Sequence, residues 1–202
     1  MAVITYPSLC VSSFRWMKVN QAMVFTSPFG SQAVDVSTPL WSVEMTGVPT
    51  KFDTADRIQT FLESLDGFRN QLALWNLARP VPKGTMRGLM VLGSPASQGD
   101  VQISISAPTE AGGTLLEGDL LGIGSGLTQQ VVRVMADATA DISGDILVTI
   151  GTPLRNSFLA GDPVVWDKPK ALFRQTAITD GIEYVPGIAN AWSLQLVEDI
   201  RP

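Results

Sequence analysis

From Asp53 to Gly88 the chain spells out one local plan in full: a helix, a glycine stop, a strand and a rigid exit. Ile58, Phe61, Leu62 and Leu65 recur at i, i+3, i+4 and i+7, so a helix gathers them on one face, while Arg57, Gln59, Thr60, Glu63 and Ser64 fall mostly elsewhere. Asp53 or Thr54 is the expected N-cap, its side-chain oxygen accepting from a free first-turn amide, and Asp56 adds negative charge where the helix dipole favours it. Gly67 supplies a left-handed stop. The expectation is one amphipathic helix of about three turns laid against a sheet. A strand follows at Gln71-Leu72-Ala73-Leu74-Trp75, and then Pro80, Pro82 and Gly84, which no central strand accommodates.

The residues before the helix read as a β meander. Phe14, Arg15, Trp16 and Lys18 alternate apolar with polar, the period of a half-buried strand. Ala22-Met23-Val24-Phe25 continues it, Ser27-Pro28-Phe29-Gly30 is a tight turn, and strands follow at 32–36 and 40–45.

Beyond the prolines, five short apolar runs at 101–105, 118–124, 130–134, 146–150 and 163–166 are separated by glycine and aspartate turns, the pattern of a small barrel or roll. Lys168-Pro169-Lys170 reads as the exit hinge, and longer alternating strands resume at 171–174, 182–185 and 191–197. This order predicts a mainly β protein: a β-sandwich with one packed α-helix, plus an inserted small β-barrel-like (OB-like) domain. Residues 1–84 and 170–202 would build the sandwich, and residues 85–169 the insertion; two sequential domains are the alternative. Net charge supports the boundary, being +1 over residues 1–84, -5 over 85–166 and -1 over 167–202.

Several functions are disfavoured by composition. The chain has no histidine, which removes Ser-His-Asp and Cys-His nucleophilic systems and the usual zinc sites. Cys10 is alone, so no intrachain disulfide or cysteine metal cluster is expected. A net charge of -5 without clustered Lys and Arg gives no reason to expect nucleic acid. No run approaches the roughly 18 to 20 apolar residues of a membrane span, and the first basic residue, Arg15, follows the early apolar residues, the wrong order for a signal peptide.

Four groups invite a chemical reading, and each has a plainer one. Gly122-Ile123-Gly124-Ser125-Gly126 resembles a phosphate loop but lacks its lysine and following helix, so a hairpin turn is expected. Asp137, Asp141, Ser143 and Asp145 are rich in oxygen but miss the EF-hand spacing, and read as a solvated turn. Glu110, Glu117 and Asp119 are candidates for paired glycosidase carboxylates, with solvated charges favoured. Trp16, Trp41, Trp75, Trp166 and Trp192 sit in alternating strands, where core or subunit contact is the commoner fate; Trp166 is the best candidate for glycan contact because it belongs to the middle domain. No catalytic, cofactor-binding or metal-binding residue is assigned, and no cofactor is expected.

The ordered series of an aromatic strand (Phe14 to Val19), the turn Phe25-Thr26-Ser27-Pro28, the Trp41 strand, the capped helix, Asn70-Gln71-Leu72 and the exit Pro82-Lys83-Gly84 resembles the distal tail protein family of long-tailed (siphovirus-type) bacteriophages and prophages. That resemblance covers roughly residues 14–88 and implies a structural, non-enzymatic virion component. It implies a homo-oligomeric ring, commonly a hexamer, joining the tail tube protein to the tail-tip hub and other baseplate proteins. The implied location is the virion tail tip, with assembly in the host cytoplasm. The alternatives are another tail protein (tube, terminator or minor tail protein) or a host-surface carbohydrate-binding module.

Overall fold

The computed structural model describes residues 2–20, 22–35, 38–176 and 181–200. It is mainly β, with 45% of residues in strands and 8% helical, so sheets carry both cores. The chain forms two compact units: the first is residues 1–74 with 172–200, and the second is residues 75–171.

In the first unit, β1 (Val3–Thr5), β2 (Val11–Val19), β5 (Leu40–Gly47), β6 (Gln71–Trp75), β15 (Lys170–Gln175) and β18 (Ser193–Glu198) form one six-stranded sheet in the order β1-β6-β15-β18-β5-β2. The strands that follow the second unit in the chain enter the middle of this sheet: β18 pairs antiparallel with both β15 and β5. Strand β1, which the sequence pattern does not mark, runs parallel to β6 with Val3 opposite Gln71. Two hairpins, β3–β4 (Ala22–Ser27 and Gly30–Asp35) and β16–β17 (Tyr184–Val185 and Ile188–Ala189), stand outside the sheet. The strand expected at 182–185 is thus a short hairpin arm, because Val185 turns back to pair with Ile188. Of the strand expected at 32–36, Val36 lies outside the described residues.

Helix α1 (Phe52–Ser64) packs through the expected face: Ala55, Ile58, Phe61 and Leu62 are buried, and Leu65 just beyond the helix is buried too. Phe61 meets the ring of Tyr6 edge-on at 6.1 Å, tying the helix to the segment after β1. Each of the larger side chains contributes about 1.5–3 kcal/mol through burial. The helix start differs from expectation. Lys51 is the N-cap and makes no side-chain cap bond, so Asp53 and Thr54 lie inside the first turn. Thr50 exchanges two backbone bonds with Ala189, at 3.0 and 2.9 Å, which pins the chain there and lets the helix begin at once. At the other end both Asp66 and Gly67 are left-handed, with φ of 49° and 59°.

The second unit holds β7 (Met90–Leu92), β8 (Gln102–Ser106), β10 (Leu120–Ile123), β11 (Gln130–Arg133), β13 (Asp145–Thr149) and β14 (Pro163–Val165), ordered β11-β10-β14-β7-β8-β13. Beyond the ends of that order, Val134 bridges Ile150, Met135 N–H donates to Thr149 O and Gly151 N–H to Arg133 O, both at 2.9 Å. These bonds join β11 to β13, so the sheet closes into a barrel. It has six strands, one more than the sequence pattern marks, where an oligosaccharide-binding-type barrel has five. The unmarked strand is β7, three residues between Gly88 and Gly93, too short to display a period. Ile103 and Ile105, Ile146 and Val148, Leu121 and Ile123 point inward around Leu92 and Phe158. A small ladder of β9 (Thr114–Leu115) with β12 (Ala138–Thr139) flanks the barrel.

Candidate interaction surface

The most unusual surface of the first unit is the β3–β4 hairpin. Six cross-strand pairs run from Ala22 opposite Asp35 to Ser27 opposite Gly30. The turn is closed locally: Ser27 Oγ accepts from Phe29 N–H at 3.3 Å and donates to Gly30 O at 3.2 Å. Every residue of β3 is exposed. Met23 is 58%, Val24 66%, Phe25 60% and Phe29 100% exposed, values normal for charged side chains and not for these.

Because side chains alternate, Met23 with its partner Val34, and Phe25, lie on one face, while Val24 with Ala33 lies on the other. Neither face is buried against a core. A two-stranded ribbon alone in water is marginally stable at best, and this one carries exposed apolar groups on both faces.

The six-stranded sheet adds two terminal strands. β1 is three residues long, whereas β2 spans nine, with an irregularity between Val11 and Ser13. Long terminal strands offer backbone groups to another chain. Behind β2, Trp16 packs on Trp41 at 5.7 Å and on Phe173 at 5.2 Å, leaving the strand firmly seated.

The carboxylates of Glu110, Asp119, Asp137 and Asp141 are used structurally. Of the Gly122-to-Gly126 segment, Gly122 and Ile123 end β10 and Gly124 begins its connection to β11, with Gly124 and Gly126 at φ of 76° and 66° and a single 3-10 turn at Gly126–Thr128. Asp137 accepts from Glu117 N–H at 2.7 Å, and Asp141 accepts from Ser143 and Asp145 N–H at 2.7 and 3.0 Å. No group of carboxylates suited to a metal ion occurs among the described residues. Glu110 accepts from Arg87 N–H at 3.1 Å. Asp119 is buried, and its carboxylate receives Lys83, Gly84 and Leu116 N–H at 2.6, 3.1 and 2.8 Å. A carboxylate committed to three amides is a loop anchor.

The tryptophans form no shared platform. Trp41 and Trp192 are buried in the first unit. In the second, Trp166 donates its Nε1–H to Gly88 O at 2.7 Å and carries the Arg87 guanidinium 5.1 Å from its ring centre, so one face of the ring is occupied by Arg87. Arg87 in turn donates to the carbonyls of Pro82, Gly84 and Met86. Cys10 is exposed. No helix among the described residues is long and apolar enough to cross a membrane.

The fold and surface therefore define a two-unit, mainly β protein whose first unit carries an uncovered apolar arm. No protein-family model matches the chain, and no curated protein matches it either.

Proposed function

We propose that this chain is a structural component of a long-tailed bacteriophage tail tip, a distal tail protein whose copies close into a ring between the tail tube and the tail-tip hub. The observation that carries the reading is the β3–β4 hairpin, which exposes Met23, Val24, Phe25 and Phe29 with no core to receive them. An arm of this kind on one copy and a different receiving surface on the next make a heterologous contact, and such contacts generate rings when the rotation closes. The long terminal strand β2 supports the same reading, since ring closure covers sheet edges. The family in this reading is the one that the sequence order from Phe14 to Gly88 resembles.

The test is the solution mass of the purified chain by light scattering, with negative-stain imaging of the main species. A closed ring near six times 21.7 kDa is expected. Open stacks of rings would move the assignment to a tube protein. A chain that stays monomeric at high concentration, and remains so when mixed with tail-tube and hub proteins of the same phage, overturns the reading.

A further inference from the structure

The β3–β4 arm and a cavity of the same unit lie at opposite ends of one strand pair. β2 and β5 run antiparallel, with Val19 opposite Leu40 at one end and Val11 opposite Gly47 at the other. The arm leaves from the first end, between Val19 and Leu40. The cavity lies at the second, where Leu9 and Cys10 lead into β2 and Val48 follows β5. The nine residues of β2 hold the two ends about 27 Å apart. None of the arm's described residues lines the cavity of its own copy. An arm at one end and a cavity at the other are the two halves of a head-to-tail contact, the kind that repeats from copy to copy.

The cavity measures about 380 Å³, room for a small organic group. Burial grades its lining. Ile58 of α1 is 4% exposed, Leu9 and Val48 are half-buried, and Cys10 and Arg57 are exposed, so the interior is apolar and the mouth carries a cation. Its shape is set in advance. The Tyr6 hydroxyl donates to Leu9 O at 2.9 Å, Ser8 holds a left-handed φ of 54°, and Thr50, also in the lining, is pinned to Ala189 by two backbone bonds. A site that is already ordered gives up less entropy on binding.

Arg57 enters no ion pair among the described residues. A guanidinium free of a carboxylate packs well on the face of an aromatic ring. The arm brings rings and no charge: Phe29 is 100% and Phe25 60% exposed, and residues 22–34 hold no charged side chain. Together the two phenyl groups offer roughly 300 Å², under half of the roughly 800 Å² per partner that a stable pair buries. One such contact is too small to hold a dimer, whereas every copy in a closed array gives one arm and receives another.

We infer that this cavity receives the tip of the β3–β4 arm of a second copy, the Phe29 ring entering toward Ile58 and the Arg57 guanidinium lying on an aromatic face of the arm. The inference rests on the assembly reading above and deepens it by naming the surface that takes the arm.

The experiment irradiates the full chain carrying p-benzoylphenylalanine in place of Phe29, at the concentration used for light scattering, and maps linked peptides by mass spectrometry. Links between copies are expected from position 29 to the peptides holding Leu9 and Cys10 or Val48 to Ile58. Links to other surfaces, or none in a sample that scattering shows to be assembled, overturn this inference and leave the ring standing; a monomeric sample without links overturns both. Phe29→Ser and Arg57→Glu are each expected to weaken self-association about tenfold or more, and the two together little more than either alone, because both remove one contact. Ile142→Ser, which trims a side chain 96% exposed on the second unit, is the unchanged control. Additive losses in the double variant, or an Arg57→Glu chain that associates like wild type, would each overturn the inference.

Discussion

Gly47 donates its amide to the carbonyl of Trp192 at 2.8 Å, and the indole of the same tryptophan fills the space a β-carbon at Gly47 would need. Trp192 is buried just before β18, so the glycine at the end of β5 lets a large ring close the sheet from the side. Gly47→Ala is expected to destabilise the chain by about 1–3 kcal/mol through overpacking. Gly67→Ala, where φ is positive but no atom stands in the way, is expected to cost only about 1 kcal/mol. Urea midpoints of the two variants check the contrast, and a Gly47→Ala midpoint equal to wild type would remove the packing argument.

Asp119 joins the residues before the barrel to the β9–β10 connection through amides of Lys83, Gly84 and Leu116. Replacing it with alanine leaves buried donors without acceptors, and hydrogen bonds to a charged group are worth about 1.5–3 kcal/mol each. Asp119→Ala is expected to cost about 3 kcal/mol, relaxation recovering part of the loss. Hydrogen exchange should accelerate first at Lys83, Gly84 and Leu116. Uniform acceleration across the barrel would show that the carboxylate does not act as a local anchor.

Burial holds the Tyr6 phenol in its neutral form, pushing its pKa up from 10.0 to about 12, and the hydroxyl donates to Leu9 O at 2.9 Å. Below pH about 10 both folded and unfolded chains keep this proton; between about 10 and 12 only the folded chain does. Stability is therefore fully present below about pH 10 and falls as pH rises toward 12, by at most about 2–3 kcal/mol at roughly 1.4 kcal/mol per pKa unit. Tyr6→Phe should lose about 1 kcal/mol at neutral pH and lack this part of the alkaline decline. Chemical denaturation of both proteins near pH 8 and pH 11 measures it; parallel declines would refute the assignment to Tyr6.

The hairpin separates folding from assembly. Phe25→Ser with Phe29→Ser changes only exposed side chains, so the folded protomer should keep its stability to within about 0.5 kcal/mol. Self-association measured by light scattering should fall sharply. Retained association with unchanged stability would mean that the contact lies elsewhere, with the β2 edge as the next place to look.

Elements with a clean local period were legible before any coordinates. The helical face of Ile58, Phe61 and Leu62 is buried as its spacing requires. The alternation at 101–105 and 146–150 became β8 and β13, whose isoleucine and valine side chains point into the barrel. The hairpin strands were legible too, but their exposure was not. Met23, Val24 and Phe25 look the same in sequence whether they face their own core or await another chain, because hydrophobicity records the need for burial and not its provider.

The surroundings of Lys168 were the least legible part. Lys168 and Lys170 read as a hinge around Pro169, and nothing in their spacing brings in Trp75. Only the barrel's closure and the return of the chain past Pro80 gather those residues, and only the fold imposes the left-handed backbone of Lys168.

What the chain alone determined was local: which residues turn, which alternate, where the helix lies, and that histidine chemistry is excluded. Each follows from backbone preferences and side-chain periods acting over a few residues. Tertiary structure decided the rest: that β15 and β18 enter the middle of the first sheet, that Val134 meets Ile150 to close the barrel, and that a tryptophan fits over Gly47. Those pairings join positions far apart in the chain, and they are selected by how well whole surfaces bury each other, a property that no short window of sequence contains.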